Sequence, residues 1–158
     1  MNIFFLSYDP KECAKFHNNK HCVKMILETS QLLCGVHWSL GGEAPYKLSH
    51  KNHPCSVWVR TSISNYNWLC ELGLELCYEY SFRYQKKHKS EDIILWCMNN
   101  KPNIIDIGFT DPPKAMPEKY KVSSVIESYR NYYIGDKSEF CFWKNREIPH
   151  LYENVKIC

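Results

Sequence analysis

The residues best suited to chemistry in this chain form a polar stripe on a helix that is otherwise apolar. With 3.6 residues per helical turn, five polar residues fall in one narrow sector: His17, His21, Lys24, Glu28 and Gln31. The opposite sector is apolar: Cys22, Val23, Ile26, Leu27, Leu33 and Cys34. A helix that is apolar nearly all round is mostly buried, and burial of unpaired polar groups is costly. The stripe therefore predicts a pocket.

Two interpretations of the stripe follow from its residue types. In a pocket, Glu28 would act as general base or charge stabiliser, while His21 and Lys24 orient it or bind an anionic substrate. On a solvated surface, Lys24 and Glu28 would be an ordinary helical ion pair at i, i+4 spacing. The residues alone leave both interpretations open.

A metal site built from histidines competes with this pocket. His17 and His21 have the spacing of two ligands on one helix, and His50 and His53 could supply others. However, no Cys stands at ligand spacing, and the pattern is not HExxH. We therefore predict no metal and no cofactor, and keep a histidine-metal hydrolase as an alternative function.

Aromatic and basic residues alternate near the C-terminus, from Tyr129-Arg130-Asn131-Tyr132-Tyr133 to Trp143 and Lys144. Interleaved rings and cations suit stacked bases and phosphates. A packed helix with solvated cations would give the same pattern. The formal net charge of only +3 argues against a large phosphate footprint. We predict nucleic acid or a nucleotide as the partner.

Composition indicates one intracellular domain spanning residues 1–158. Hydrophobic residues make up 44% of the chain, enough for a core, and aromatic residues 15%. The nine cysteines include no CxxC pair, as expected in a reducing compartment. No signal peptide or membrane-spanning run is visible. We expect a cytoplasmic or nuclear protein, or one in the cytoplasm of a virus-infected host cell, with no membrane contact and no obligate protein partner.

The apolar periodicity predicts an all-α fold with a short extended N-terminal segment over residues 1–8. Asp9 followed by Pro10 is a helix start, and Ser124 opens the last helix as part of a capping box with Glu127. Five helices are expected, at about residues 10–16, 20–37, 56–85, 91–98 and 125–133. A further turn is expected within 137–143.

Three segments of the chain resemble a signature of small phage and large-virus proteins: residues 20–29 (KHCVKMILET), 50–55 (HKNHPC) and 128–133 (SYRNYY). Their order is distantly similar to that of the phage pyrimidine-dimer DNA glycosylase, also called endonuclease V. The resemblance implies a helical protein whose N-terminal α-amine attacks the anomeric carbon of a damaged nucleotide and forms a Schiff base. A glutamate on the first long helix stabilises the charged sugar and assists proton transfer.

The family's functional positions carry over to individual residues here. Glu28 matches the glutamate, and His21 matches a histidine seven residues earlier. His53 is similar to the histidine that heads the next helix. The family has a small second residue that permits removal of the initiator methionine, whereas this chain has Asn2. Retention of Met1 is therefore expected, and its α-amine is the candidate nucleophile.

The resulting hypothesis is a DNA glycosylase that cleaves the N-glycosidic bond of a damaged or modified nucleotide, with AP-lyase activity if it is active. A non-catalytic nucleotide or nucleic-acid binder on the same fold is an alternative. The predicted catalytic residues are Glu28, His21 and Met1. The predicted substrate-binding residues are His17, Lys24, His53, Arg60, Tyr129, Arg130, Tyr132, Tyr133, Trp143 and Lys144.

Overall fold

A computed structural model describes residues 1–140 and 142–153 of the chain. Six α-helices follow one another: α1 (Pro10–Phe16), α2 (Asn19–Ser39), α3 (Pro54–Thr61), α4 (Ile63–Tyr84), α5 (Glu91–Asn99) and α6 (Val125–Asp136). Within the same described residues, three short 3₁₀ turns lie at Glu118–Tyr120, Ser138–Phe140 and His150–Tyr152. No β-strand occurs in the described part of the chain. The predicted all-α fold class is confirmed.

Side-chain caps set the starts of the first two helices. The Asp9 carboxylate accepts a hydrogen bond from the Lys11 amide, and Pro10 occupies the first helical position. The Asn18 side chain accepts from the amide of His21 at 2.9 Å and so begins α2. Glu12, three residues after the cap, accepts a hydrogen bond from the Ser7 hydroxyl. The predicted bounds of α1 and α2 are therefore correct to within two residues.

The prediction of a single helix over residues 56–85 is wrong, because the helical conformation is interrupted at Ser62, which separates α3 from α4. Ser62 has extended backbone angles, and its hydroxyl accepts from the Ile107 amide at 3.1 Å. The Ile63 amide donates to the Ile105 carbonyl at 2.9 Å. Partners from the loop over residues 101–117 thus replace helical hydrogen bonds. Apolar periodicity carries no information about partners so distant in sequence.

Helix α4 lies at the centre of the packing and contacts α1, α2, α3 and α5. Gly73 allows the closest approach: a Cβ there would lie 2.7 Å from Cδ1 of Ile94 and 3.1 Å from Cγ2 of Thr29. The absence of a side chain therefore lets α2 and α5 pack closely against α4. Among the described residues, no helix combines the length and apolar character needed to cross a membrane.

The N-terminal segment, which was predicted to be extended, contains neither helix nor strand, and Phe4 departs from extended geometry with a φ of 55°. Its buried side chains fix it in place. Ile3, Phe5 and Leu6 are buried. The Arg130 guanidinium donates two hydrogen bonds to the Leu6 carbonyl, at 3.1 and 3.0 Å. This anchoring holds the start of the chain in a defined position against the helices.

All nine cysteines are expected to be free thiols in the purified protein. The seven described ones, Cys13, Cys22, Cys34, Cys55, Cys70, Cys77 and Cys97, are buried and unpaired, whereas Cys141 and Cys158 lie outside the described residues. Alkylation of the denatured protein without reductant, followed by mass spectrometry, should count nine labelled thiols. A stoichiometric disulfide would contradict this prediction.

Candidate active site

Three nitrogen groups lie close to the Glu28 carboxylate. The Asn2 amide donates to Oε2 at 3.1 Å, and the Met1 α-amine lies 4.0 Å from the same oxygen. The Lys24 ammonium lies 3.3 Å from Oε1, although its side chain is 61% exposed. Glu28 itself is only 13% exposed. The carboxylate therefore sits at a partly enclosed junction between α2 and the start of the chain.

Asn2 fixes the backbone that brings the α-amine to Glu28. Its Oδ1 accepts from the amides of Ile3 and Phe4, at 2.7 and 3.1 Å, and its Nδ2 donates to the Ala115 carbonyl at 2.9 Å. The sequence analysis missed this role. The available signal was the residue type, because Asn side chains commonly hydrogen-bond the amides that follow them in a turn.

His53 lies within electrostatic reach of this junction. It caps α3, with Nδ1 accepting from the Cys55 amide at 3.1 Å. Partial burial is the largest cause lowering the pKa of His53; the Met1 amine and His50 add to it, and Glu28 opposes it. The structure thus brings Met1 and Lys24 to Glu28, and His53 is near enough for their charges to affect its pKa.

His17 and His21 belong to the core rather than to this junction, so the predicted single stripe is divided. The His21 ring stacks on Phe4 with centroids 4.1 Å apart, and Nδ1 lies 2.8 Å from the Tyr133 hydroxyl. His17 is fully buried, with Nδ1 2.7 Å from the Cys13 carbonyl oxygen. The expectation that His21 orients Glu28 is corrected, because its hydrogen-bond partner is Tyr133.

Burial keeps both imidazoles neutral. It lowers the pKa of His21 to about 2, with nearby His17 and Lys137 adding to the shift. It lowers the pKa of His17 to about 4, against a raising contribution from the Cys13 carbonyl. Near pH 7 each ring is therefore a neutral imidazole. Neither supplies a positive charge for binding an anion.

Neither Met1 nor Glu28 is among the residues that line the two cavities described next. A cavity of about 530 Å³ is lined by residues including Lys15, Phe16 and Arg146. A recess of about 390 Å³ lies next to Glu28 in sequence. It is lined by Leu27, which precedes Glu28, by Gln31, three residues after it, and by the loop over 46–49. Within the described ranges, no three His, Cys, Asp or Glu side chains come together to hold a metal ion.

The family model for pyrimidine dimer DNA glycosylase matches residues 1–92. This chain belongs to the pyrimidine dimer DNA glycosylase family. The matched region contains Met1, Lys24 and Glu28, which meet at the junction, and also His53. No curated protein and no solved structure matches the chain. Membership supports a DNA glycosylase-type function and a nucleic-acid substrate.

Four predicted substrate-binding residues of this glycosylase-family chain make contacts within the protein, and three of them, Tyr129, Tyr133 and Trp143, are buried. The Tyr129 hydroxyl donates to the Pro113 carbonyl at 2.6 Å, and the Tyr133 hydroxyl accepts from the Asn18 amide at 3.0 Å. Trp143 donates to the Phe16 carbonyl at 3.0 Å. Arg130 holds the N-terminal segment, as described above. The structure assigns these four side chains to packing, which the alternation of rings and cations did not distinguish from substrate contact.

The remaining predicted contacts of the family member are closer to solvent. Arg60 donates to the Lys51 carbonyl at 2.7 Å. Tyr132 is half-buried, with the Lys137 ammonium 5.0 Å from its ring centre. Lys144 is exposed and lies 5.3 Å from the ring centre of Tyr84. A role of these three side chains in substrate binding stays a prediction.

Proposed function

We propose that this protein cleaves the N-glycosidic bond of a damaged pyrimidine nucleotide in DNA, with the Met1 α-amine as nucleophile and Glu28 as the assisting carboxylate. The observation that carries the proposal is the 4.0 Å distance between the α-amine and Oε2 of Glu28. The family match over residues 1–92 supports it.

The reaction places each group in a definite role. The neutral α-amine attacks C1′ of the nucleotide, the C1′–N bond breaks, and its electron pair leaves with the base, which takes up a proton. The amine nitrogen then loses one proton while the sugar ring opens, which gives a protonated imine between Met1 and C1′, and the proton taken up by the base comes from solvent. Glu28 stabilises the positive charge that develops on the sugar. It also accepts the amine proton and returns it to the ring oxygen.

Lys24 and Asn2 position the Glu28 carboxylate in this scheme. Lys24 contacts Oε1, and the Asn2 amide contacts Oε2. The two contacts hold the carboxylate oxygens in place beside the α-amine. The Asn2 amide nitrogen is closer to Glu28 than the Met1 nitrogen is. Removal of Met1 would therefore place a new α-amine at the same carboxylate.

Borohydride trapping on lesion DNA tests the proposal. A duplex with one cyclobutane pyrimidine dimer, incubated with protein and borohydride, should give a covalent protein–DNA adduct, and an undamaged duplex of the same sequence should give none. Without borohydride, the strand should break at the lesion. Binding to the lesion duplex with neither adduct nor strand break would contradict the proposal and favour a non-catalytic binder.

A further inference from the structure

A groove between α1 and α4 lies apart from the Met1–Glu28 junction and is lined by cations and aromatic rings. It encloses about 340 Å³. Lys11 and Lys15 come from α1, Tyr78 and Phe82 from α4, and Arg146 from the C-terminal segment. No residue of the proposed catalytic junction lines it.

The two rings are unusually open to solvent for aromatic residues of a central helix. The Tyr78 side chain is 56% exposed and that of Phe82 is 43% exposed. They stand at i, i+4 spacing, which places them on one face about 6 Å apart along the axis. Lys11 and Lys15 have the same spacing on α1. The groove therefore presents a pair of rings opposite a pair of ammonium groups.

The charge of this groove is positive where the rings lie. Both oxygens of Glu79 are bound by Arg146, at 2.7 and 3.0 Å, and the buried Arg83 adds a third bond at 3.0 Å. Glu79 is thus neutralised by two arginines, and Glu75 is the other acid in the lining. In the described part of the chain, neither Lys11 nor Lys15 forms an ion pair.

Arg146 contributes to the aromatic wall as well as to the charge. Its guanidinium lies 4.0 Å from the ring centre of Phe82, a distance at which cation and ring attract each other. Beyond Lys11, a recess of about 230 Å³ continues along the helices and is lined by Asp9, Glu71 and Glu75. Lys11 lies at the border between this recess and the groove. The acidic lining repels phosphate, so a bound strand is expected to run from Lys11 towards Lys15 and Arg146 and not into the recess.

We propose that this groove binds a short segment of single-stranded nucleic acid, with bases stacked on Tyr78 and Phe82 and phosphates at Lys11 and Lys15. Aromatic side chains stack on the faces of unpaired bases, whereas cations follow the backbone. In a duplex, the base faces are already covered by neighbouring base pairs. The exposed rings therefore favour a single strand over a duplex. This inference is independent of the chemistry proposed at Glu28.

Fluorescence anisotropy with a labelled oligothymidylate tests the binding. Tyr78→Leu keeps an apolar side chain but removes the ring, and should weaken affinity by about 5-fold to 150-fold, corresponding to roughly 1–3 kcal/mol of stacking per base. The double variant Lys11→Gln/Lys15→Gln should lower the slope of log affinity against log salt by about 1.4, because each single-strand phosphate contact contributes about 0.7.

A matched control removes the same charge elsewhere. Lys86→Gln/Lys89→Gln changes two exposed lysines after α4 and should leave affinity within about twofold and the salt slope unchanged. Thermal unfolding of each variant checks the fold, and lesion trapping should be unaffected by Tyr78→Leu. Wild-type affinity in the Tyr78→Leu variant, no binding by the wild type, or equal competition by an undamaged duplex of the same length would overturn the proposal.

Discussion

Glu28→Gln is expected to lower the rate of glycosidic-bond cleavage by about 100-fold or more, which is the typical loss when one preorganised electrostatic contact to a transition state is removed. The amide keeps the shape of the side chain and an oxygen that can accept from Asn2. It lacks the negative charge that opposes the cationic sugar. Affinity for lesion DNA should stay within a few fold, because the charge acts mainly in the transition state.

Single-turnover strand cleavage and lesion binding, measured on the same preparations, check this prediction. Glu43→Gln is the matched control, because it removes a carboxylate from an exposed position in the loop after α2. It should retain wild-type cleavage. Retention of cleavage by Glu28→Gln, with the control also active, would remove Glu28 from the mechanism.

Acidification from pH 7 to pH 5 is expected to lower the free energy of unfolding by about 4 kcal/mol, roughly 2 kcal/mol from each of His17 and His21. Burial depresses the pKa of His17 to about 4 and that of His21 to about 2. Below the ordinary histidine pKa of about 6.5, the unfolded chain therefore binds protons that the folded protein does not. The stabilisation that these two histidines contribute is fully present above about pH 6.5 and is lost progressively as the pH falls below it.

Urea unfolding at several pH values between 7 and 5 measures this dependence. His21→Gln should flatten the dependence by close to one proton, about 1.4 kcal/mol per pH unit at the acidic end. Smaller contributions of the same sign are expected from His37, His53 and His88, whose pKa values are also lowered by burial. An equally steep dependence in His21→Gln would contradict the account.

Local signals in the sequence were sufficient for most helix starts. Asp9, Asn18 and Ser124 each accept a hydrogen bond from an amide of the helix that they begin. These caps act over two or three residues, so residue type and spacing reveal them. The break at Ser62 depends on a loop more than 40 residues later, and its position could not be read from the same kind of pattern.

The candidate site was predictable in part for the same reason. A carboxylate on an apolar helix indicated Glu28, and i, i+4 spacing indicated its pairing with Lys24. Helical periodicity could not distinguish a histidine that faces a cleft from one that hydrogen-bonds within the core. Tyr133, the hydrogen-bond partner of His21, is 112 residues away in the sequence. The approach of Met1 to Glu28 likewise depends on how the N-terminal segment packs against the helices.

The Glu79–Arg83 pair shows a signal that was present and passed over. An acid and a base at i, i+4 spacing within an apolar helix indicate a buried ion pair. In the structure, this pair also receives Arg146 from the C-terminal segment. The pair thereby ties that segment to α4 and shapes the groove proposed to bind single strands.

Mass spectrometry of the borohydride-reduced adduct tests the central claim most directly, because it identifies the nitrogen bonded to the sugar. Trypsin should release an N-terminal peptide spanning residues 1–11. The account predicts that this peptide retains Met1 and carries the deoxyribose remnant on its α-amine. An adduct on the Lys24 side chain, or on any nitrogen other than the N-terminal amine, would contradict it.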